Sequence, residues 1–84
     1  MKKIAVILGG CGTKDGSEIN ETVTLLLALD QFGVKYQCFA PDKNQYQVIN
    51  HVTGEVVAEK RNMMVEAARI VRGEILPLTS FNAN

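Results

Sequence analysis

The 84-residue sequence has no tryptophan, two prolines, two cysteines and one histidine. The apolar run after the N-terminal lysines, Ile4–Leu8, is shorter than the roughly 7–15 residues of a secretory signal and the ~20 of a membrane span. Nine basic and nine acidic residues cancel, so the charge favours neither nucleic acid nor a strongly charged partner. We therefore expect a cytoplasmic protein that binds no membrane and no nucleic acid.

The scarce cysteines and histidine also limit metal chemistry. Cys11 and Cys38 lack the spacing of a metal site or a CxxC motif, and His51 is the only imidazole, which argues against zinc. We expect free thiols in a reducing compartment, although a disulfide between the ends of adjacent parallel strands stays open. No metal and no cofactor are predicted.

The apolar and turn-forming residues that are present predict one small α/β domain. The predicted elements are a strand at Lys3–Gly9, a helix at Glu18–Phe32 with Ser17 as N-cap and Gly33 as C-cap, a strand at Val34–Ala40, a turn at 41–44, a hairpin of 48–50 and 55–57, a helix at Arg61–Arg72 closed by Gly73, a strand or extended connection at Glu74–Leu78, and a loose tail at Thr79–Asn84.

A strand, a helix and a second strand in this order call for a right-handed crossover and a parallel sheet. The first strand is apolar enough to need neighbours on both sides, but the sequence supplies one clear parallel neighbour. The broad apolar surface of the first helix likewise predicts burial on more than one side. We expect a sheet that is truncated or completed by a partner chain.

Glycines 9, 10, 12 and 16 follow the first strand. A GxGxxG dinucleotide motif fails because positions 14 and 15 are Lys14 and Asp15, and the GxxxxGK[ST] phosphate loop is absent as well. We interpret the glycines as the requirement of a tight strand-to-helix turn, and nucleotide binding is disfavoured.

Two carboxylates lie in the first turn of the predicted helix, beyond the carboxyl end of the strand, where open α/β sheets bind ligands. Glu18 and Glu21 are three residues apart and share a helical face. For Glu18, stabilisation of the helix dipole is the preferred explanation. Glu21 lies beside apolar positions, so we expect partial burial; its role in the site follows from the resemblance described below, and Glu18 is a weaker candidate.

Cys11 is the nucleophile candidate of the glycine-rich turn, and a bystander or oxidation-prone thiol is the alternative. Cys38 is expected in the core. His51 lies in the hairpin loop, where a surface position is the ordinary expectation and a site role the alternative. Arg61 and Asn62 are interpreted as helix-capping residues.

Three stretches, residues 9–23 (GGCGTKDGSEINETV), 38–55 (CFAPDKNQYQVINHVTGE) and 61–78 (RNMMVEAARIVRGEILPL), resemble the opening part of the ElbB family. Its members are called enhancing lycopene biosynthesis protein, sigma cross-reacting protein or glyoxalase ElbB, and they resemble the ES-one mitochondrial proteins. The family belongs to the PfpI-like, class I glutamine amidotransferase-like superfamily. The resemblance covers Met1 to Leu78.

The resemblance implies a flavodoxin-like α/β sandwich, often dimeric, that converts glyoxal-type dicarbonyls to hydroxy acids without a cofactor, as a glyoxalase III-like lyase linked to isoprenoid biosynthesis. It implies a nucleophilic cysteine on a strand-to-helix elbow beside a glutamate of the first helix, the position of Glu21. The substrate would be a small dicarbonyl.

The elbow cysteine of the family lies downstream of the matched stretches. Residues 1–84 are therefore expected to be the N-terminal segment of a single amidotransferase-like domain, inactive alone, that forms a homo-oligomer or associates with the rest of the domain. The alternative hypothesis is a non-enzymatic binding or assembly module completed by a partner chain.

Overall fold

The computed structural model describes residues 4–81 of the chain. The elements are β1 (Ile4–Ile7), α1 (Ile19–Gln31), β2 (Tyr36–Ala40), β3 (Val48–Asn50), β4 (Glu55–Val57), α2 (Met63–Val71) and β5 (Ile75–Pro77), followed by a 3-10 turn at Leu78–Ser80. Each predicted helix and strand is present; the two hairpin strands have the predicted bounds, and the other elements have shorter ends. Lys3, at the start of the predicted first strand, and residues 82–84 of the predicted tail lie outside the described residues.

The central sheet is parallel and has the order β1-β2-β5. Cys38 in the middle of β2 lies opposite Val6 of β1 on one side and Ile75 of β5 on the other. The segment after α2, predicted as a strand or an extended connection, is a strand. The sheet thus has three parallel strands, and among the described residues β1 has a partner on one side only.

Both helices pack on the same face of this sheet. Their buried residues, Leu26 of α1 and Ala67 of α2, join one apolar cluster with the inward-facing residues of the strands, which are Val6, Leu8, Cys38 and Ala40. Right-handed crossovers that run in one direction along a sheet place successive helices on one face. The core therefore lies between a single helical layer and the sheet.

The opposite face of the sheet is mostly uncovered. Ile7 is 58% exposed and Leu76 is 44% exposed. Phe39 is the buried exception, because Phe81 packs edge-on against it with ring centroids 5.4 Å apart. The tail was predicted to be loose, but its described part forms the 3-10 turn and this aromatic contact.

Helix α1 is buried on one side, not on several. Thr22 and Leu26 are its buried residues, whereas Val23 and Leu27 are 48% and 54% exposed. The prediction of a helix buried on more than one side is wrong for the described chain, because no second layer covers its outer apolar residues. An apolar stripe indicates which residues need cover, but it does not say which neighbour covers them.

Each helix ends at a residue with a left-handed backbone conformation. Gly33, with φ +69°, ends α1 in a Schellman motif in which Val34 N–H donates to Leu29 O, as the glycine predicted. The left-handed residue that ends α2 is Arg72, with φ 57°, and Gly73 follows it. The prediction that Gly73 itself closes this helix is corrected by one residue.

Candidate functional site

The segment between β1 and α1 closes into a compact loop at the carboxyl end of the sheet. Ser17 N–H donates to Gly9 O at 2.7 Å, and the Ser17 hydroxyl accepts from Gly9 N–H at 3.0 Å. Gly16 lies where the loop is tightest, since a Cβ there would stand 2.7 Å from Gly9 O and from the Cys11 backbone nitrogen. Gly16 thus allows the tight strand-to-helix turn that was predicted.

The start of α1 differs from the prediction. Glu18, not Ser17, is the N-cap, and its Oε2 accepts from the backbone N–H of Glu21 at 2.6 Å. A carboxylate at this position also complements the helix dipole, in line with the explanation preferred for Glu18. Ser17 is unavailable as a cap because its hydroxyl is bonded to Gly9.

Glu21 is exposed, so the prediction of its partial burial is wrong. The adjacent apolar residues that suggested burial, Ile19 and Val23, are themselves 47% and 48% exposed. Its side chain is therefore open to solvent in the first turn of α1, just beyond the carboxyl end of β1.

The β3-β4 hairpin, found at the predicted positions with its loop at 51–54, is fastened to the loop between β1 and α1. Asp15 Oδ2 accepts from the backbone N–H of Ile49 at 2.7 Å. Gln45 Nε2 donates to Asp15 O at 3.1 Å. Asp15 is thereby the main link between two segments more than thirty residues apart, and its side chain is 6% exposed.

His51 adds a second link. Its Nδ1 is 3.0 Å from Ile49 O, and its Nε2 is 3.2 Å from the backbone N–H of Lys14. Since a backbone N–H can only donate, Nε2 accepts and the hydrogen lies on Nδ1, which assigns the neutral tautomer. Asp15 Oδ1 lies 3.7 Å from the same Nε2. His51 is exposed, as the ordinary expectation of a surface position predicted, and its Nε2 is occupied by the N–H of Lys14.

A group of charged residues lies along the start of α2. Glu66 Oε1 accepts from Arg61 Nη1 at 2.9 Å and lies 3.6 Å from Arg69 Nε. Arg61 Nη2 donates to Glu59 at 3.2 Å. Asn62 is the N-cap of α2, as predicted, while Arg61 pairs with carboxylates and does not cap the helix.

These residues surround a cavity of about 260 Å³ between the glycine-rich loop, the hairpin and α2. We call it the hairpin cavity; its lining is Cys11, Asp15, Gln45, Val48, Ile49, Asn50, His51, Val57, Glu59, Arg61 and Glu66. Neither Glu18 nor Glu21 belongs to this lining. The candidate residues therefore form two groups. Cys11 and His51 line the cavity, whereas Glu18 and Glu21 lie at the start of α1.

The hairpin cavity favours the neutral thiol of Cys11. Desolvation raises the pKa of Cys11 above its ordinary value, the negative charges of Glu66 and Asp15 raise it further, and Arg69 opposes them. A raised pKa reduces the nucleophilic thiolate. Burial also raises the pKa of Cys38, which is 1% exposed and lies in the core as predicted. Both thiols are free.

Sequence reasoning overlooked three residues that shape the cavity. In the sequence, Asp15 was noted only as a mismatch to the GxGxxG motif. Glu66 was not considered, and Arg61 was interpreted as a helix-capping residue. One signal was available for Glu66: the apolar residues Met63 and Ile70, three positions before it and four after it, share its face of α2. Asp15 gives no such local signal, because its partner Ile49 is distant in sequence.

Within residues 4–81, no group of three or more histidine, cysteine, aspartate or glutamate side chains is arranged to hold a metal ion. Over the same stretch, no helix combines the length and the apolar character needed to cross a membrane.

No family model matches the chain, but individual proteins do. The human glutamine amidotransferase-like class 1 domain-containing protein 3, mitochondrial, is 43% identical over 82 residues, which is 96% of this chain and 31% of the human protein. The rat ES1 protein homolog, mitochondrial, matches to the same extent. The zebrafish ES1 protein, mitochondrial, is 38% identical over 72 residues, which is 84% of this chain and 27% of that protein.

The homologues of this chain are class I glutamine amidotransferase-like domain proteins. A crystal structure of an isoprenoid biosynthesis protein with amidotransferase-like domain from Ehrlichia chaffeensis superimposes with a TM-score of 0.95 at 49% identity, over 98% of this chain and 39% of the other. The predicted fold class, an α/β parallel sheet consistent with part of a flavodoxin-like domain, is confirmed. The chain spans about a third of the length of the curated relatives.

The predicted cytoplasmic location is contradicted. The human, rat and zebrafish relatives all carry the word mitochondrial in their names. The apolar run Ile4–Leu8 is too short for a secretory signal or a membrane span, which argued against secretion and membrane insertion only. It does not distinguish one aqueous compartment from another.

Proposed function

We propose that this chain forms the N-terminal part of an ElbB-like glyoxalase, an amidotransferase-like domain that converts glyoxal-type dicarbonyls to hydroxy acids without a cofactor. The observation that carries the proposal is the position of Glu21. Its carboxylate is exposed in the first turn of α1, beyond the carboxyl end of a parallel strand, where such folds place their ligands.

In the proposed reaction, a thiolate adds to the aldehyde carbon of methylglyoxal, and the carbonyl oxygen takes up a proton to give a hemithioacetal. Glu21 then removes the hydrogen from that carbon and a proton is returned to the adjacent carbon, which converts the adduct to a thioester of lactate. Water hydrolyses the thioester and releases the thiol. The net change is addition of one water, so no external oxidant or reductant is needed.

The thiol is proposed to come from a strand-to-helix elbow outside these 84 residues, as the family resemblance implies. Two properties of Cys11 support this choice: its pKa is raised by desolvation and by nearby carboxylates, and it lines the hairpin cavity, to which Glu21 does not contribute. We accordingly expect the 84-residue chain to be inactive alone. The name of the Ehrlichia chaffeensis protein supports a link to isoprenoid biosynthesis.

A chimera tests the proposal. Residues 1–84 of this chain replace the matching segment of the Ehrlichia chaffeensis protein, and methylglyoxal consumption and lactate formation are followed by NMR. We expect activity in the chimera, loss of at least about a hundredfold with Glu21→Gln, and no activity in the 84-residue chain.

Glu18→Gln is the matched control, because it changes a neighbouring carboxylate that caps the helix and should leave the rate within a few-fold. Full activity of the folded Glu21→Gln chimera would contradict the role of Glu21. Activity of the 84-residue chain that disappears with Cys11→Ser would make Cys11 the nucleophile.

A non-enzymatic assembly module is the second candidate, and the edge of β1 that no strand of residues 4–81 pairs with favours it. An open strand edge beside exposed apolar side chains pairs readily with another chain, and Ile4 and Ile7 of β1 are 44% and 58% exposed. Light scattering of the 84-residue chain and of Ile7→Lys tests this function. A defined oligomer that Ile7→Lys dissociates, together with an inactive chimera, would favour assembly; a monomer would count against it.

A further inference from the structure

His51 joins the β3-β4 hairpin to the glycine-rich loop (residues 9–17) through a ring nitrogen with two different neighbours. Its Nε2 lies 3.2 Å from the backbone nitrogen of Lys14, whose N–H can only donate. The same Nε2 lies 3.7 Å from Asp15 Oδ1, an oxygen that accepts when the carboxylate is ionised. A bare ring nitrogen suits the first neighbour and a protonated one suits the second. The two contacts therefore require opposite protonation states of one atom.

The other bonds of the ring and of its acidic neighbour are compatible with both states. His51 Nδ1, 3.0 Å from Ile49 O, carries a hydrogen in the neutral tautomer and keeps it in the imidazolium. Asp15 holds the backbone N–H of Ile49 at 2.7 Å through its second oxygen, Oδ2. Proton uptake at Nε2 therefore changes the partner of one nitrogen and leaves the hairpin anchored to Asp15.

The glycine-rich loop packs closely around this contact and is closed by bonds of its own. A Cβ at Gly12 would overlap Asp15 Oδ1 and would lie 2.8 Å from His51 Cε1, so the ring and the carboxylate meet over the glycine backbone. Gly12 N–H donates to Ser17 O, and Gly12 O accepts from Gly16 N–H. A change at Nε2 therefore releases the bond to the ring without opening the loop.

The titratable and charged groups around the ring come from the glycine-rich loop and from the far wall of the hairpin cavity: Cys11, Lys14, Asp15, Glu59, Arg61 and Glu66. Arg61 is paired with Glu59 and Glu66. Lys14 Nζ opposes proton uptake by the ring, but it lies toward Gly54, 3.2 Å from where a Cβ of that glycine would stand. The carboxylate of Asp15 is thus the charged group that can pair with the imidazolium.

We propose that His51 is a pH switch of the glycine-rich loop: on acidification Nε2 takes up a proton, releases the N–H of Lys14 and donates to Asp15 Oδ1. Lys14 is exposed, so its N–H binds water once the ring has changed partner. Cys11, Asp15 and His51 all line the hairpin cavity, so the proton loosens one wall of that cavity. The switch does not depend on Glu21 or on dicarbonyl chemistry.

A pH titration of the ¹⁵N-labelled 84-residue chain by NMR tests the proposal, and His51 is the single histidine of the sequence, so its ring signals are unambiguous. An ordinary imidazole changes charge at about pH 6.5, and a titration from about pH 8 to about pH 5 spans that change. We expect Nε2 to be bare above the transition and protonated below it, with Nδ1 protonated throughout. The Lys14 amide proton should move upfield with the same midpoint as Nε2, and the Ile49 amide proton should keep its position.

Asp15→Asn keeps an acceptor for Ile49 N–H but turns an amide N–H toward Nε2, which favours the bare nitrogen. The transition should therefore move to lower pH by about half a unit or more. Asp30→Asn removes an exposed carboxylate outside the cavity, and as the matched control it should leave the midpoint unchanged. If Asp15→Asn does not fold, His51→Phe gives a second test, since the Lys14 amide should then show no transition in this pH range.

Four results would overturn the proposal. The first is a neutral ring whose hydrogen lies on Nε2, and the second is a Lys14 amide that does not follow the ring. The third is a folded Asp15→Asn variant with the same midpoint as Asp30→Asn. The fourth is a Lys14 transition that persists in His51→Phe.

Discussion

The carboxyl end of strand β1 and its open edge differ in how many of their groups find partners among the described residues. At the carboxyl end, backbone and side-chain groups from distant segments bind one another: Asp15 with Ile49, Lys14 with His51, and Gly10 N–H with Met63 O. Along the open edge and over the outer side of α1, apolar side chains such as Ile7 and Leu27 are more than half exposed. The described residues thus bind one another at the polar end and leave the apolar edge uncovered.

This contrast separates two kinds of function. A polar region whose partners all come from one chain can hold a defined cavity by itself. An exposed apolar edge needs a further segment or chain to cover it. The relatives are about three times as long as this chain, and we propose that the rest of an amidotransferase-like domain covers this edge.

Gly16→Ala should destabilise the loop between β1 and α1. The added methyl would meet backbone atoms at 2.7–2.8 Å, and backbone cannot move aside cheaply, so we expect a loss of about 3 kcal/mol or more in the free energy of unfolding. Gly33→Ala is the control: its φ is +69° but nothing lies within 4 Å, so about 1 kcal/mol is expected. Urea titrations that find equal losses would contradict the tight packing of the loop.

Leu26→Ala and Leu27→Ala compare the two sides of α1 at adjacent positions. Leu26 is 9% exposed and belongs to the core, while Leu27 is 54% exposed. We expect a loss of about 2–4 kcal/mol for Leu26→Ala and less than about 1 kcal/mol for Leu27→Ala. If the two variants lost the same stability in urea, Leu27 would be covered in solution, by self-association or by a different fold of the chain.

Asp15→Ala should loosen the hairpin. It leaves the backbone N–H of Ile49 without its acceptor, which costs about 1–3 kcal/mol. Asp15→Asn should recover part of that loss because its amide oxygen can accept. Hydrogen exchange at Ile49 should quicken in the alanine variant and less so in the asparagine variant. Unchanged exchange at Ile49 would show that the hairpin is held by other contacts.

Cys38 should make stability fall at high pH. Burial raises its pKa in the folded chain, so above the thiol's usual value of 9.0 the unfolded chain releases a proton that the folded chain keeps. The stabilisation is complete below that pH and is lost as pH rises, by at most about 1.4 kcal/mol per pH unit for one group. Cys38→Ala should reduce this slope between pH 9 and 10.5; an unchanged slope would assign it to other groups.

Local patterns predicted the elements well and the contacts between them poorly. Residues 51–54, between two β-branched runs, predicted the hairpin with its correct bounds, and Gly33 predicted the end of α1. Both predictions succeeded because turn-forming residues act over a few positions. The choice of Glu18 over Ser17 as the N-cap depended on a hydroxyl already bonded to Gly9. That contact forms only after the loop closes.

The candidate site was harder to predict for the same reason. Cys11 and His51 were recognised singly, but the cavity that holds both is created by Asp15 reaching a strand 34 residues away. The expectation of a partly buried Glu21 rested on apolar neighbours that the described chain leaves exposed. Long-range contacts, and coverage by segments outside the chain, are not encoded in local spacing.

Hydrogen exchange measured by mass spectrometry on the 84-residue chain and on the chimera with the Ehrlichia chaffeensis protein tests the central contrast most directly. We expect the chimera to gain protection in β1 and α1, while the glycine-rich loop at residues 9–17 and the β3-β4 hairpin keep the protection they have in the shorter chain. Protection gained chiefly in the loop and hairpin, with β1 and α1 unchanged, would contradict it.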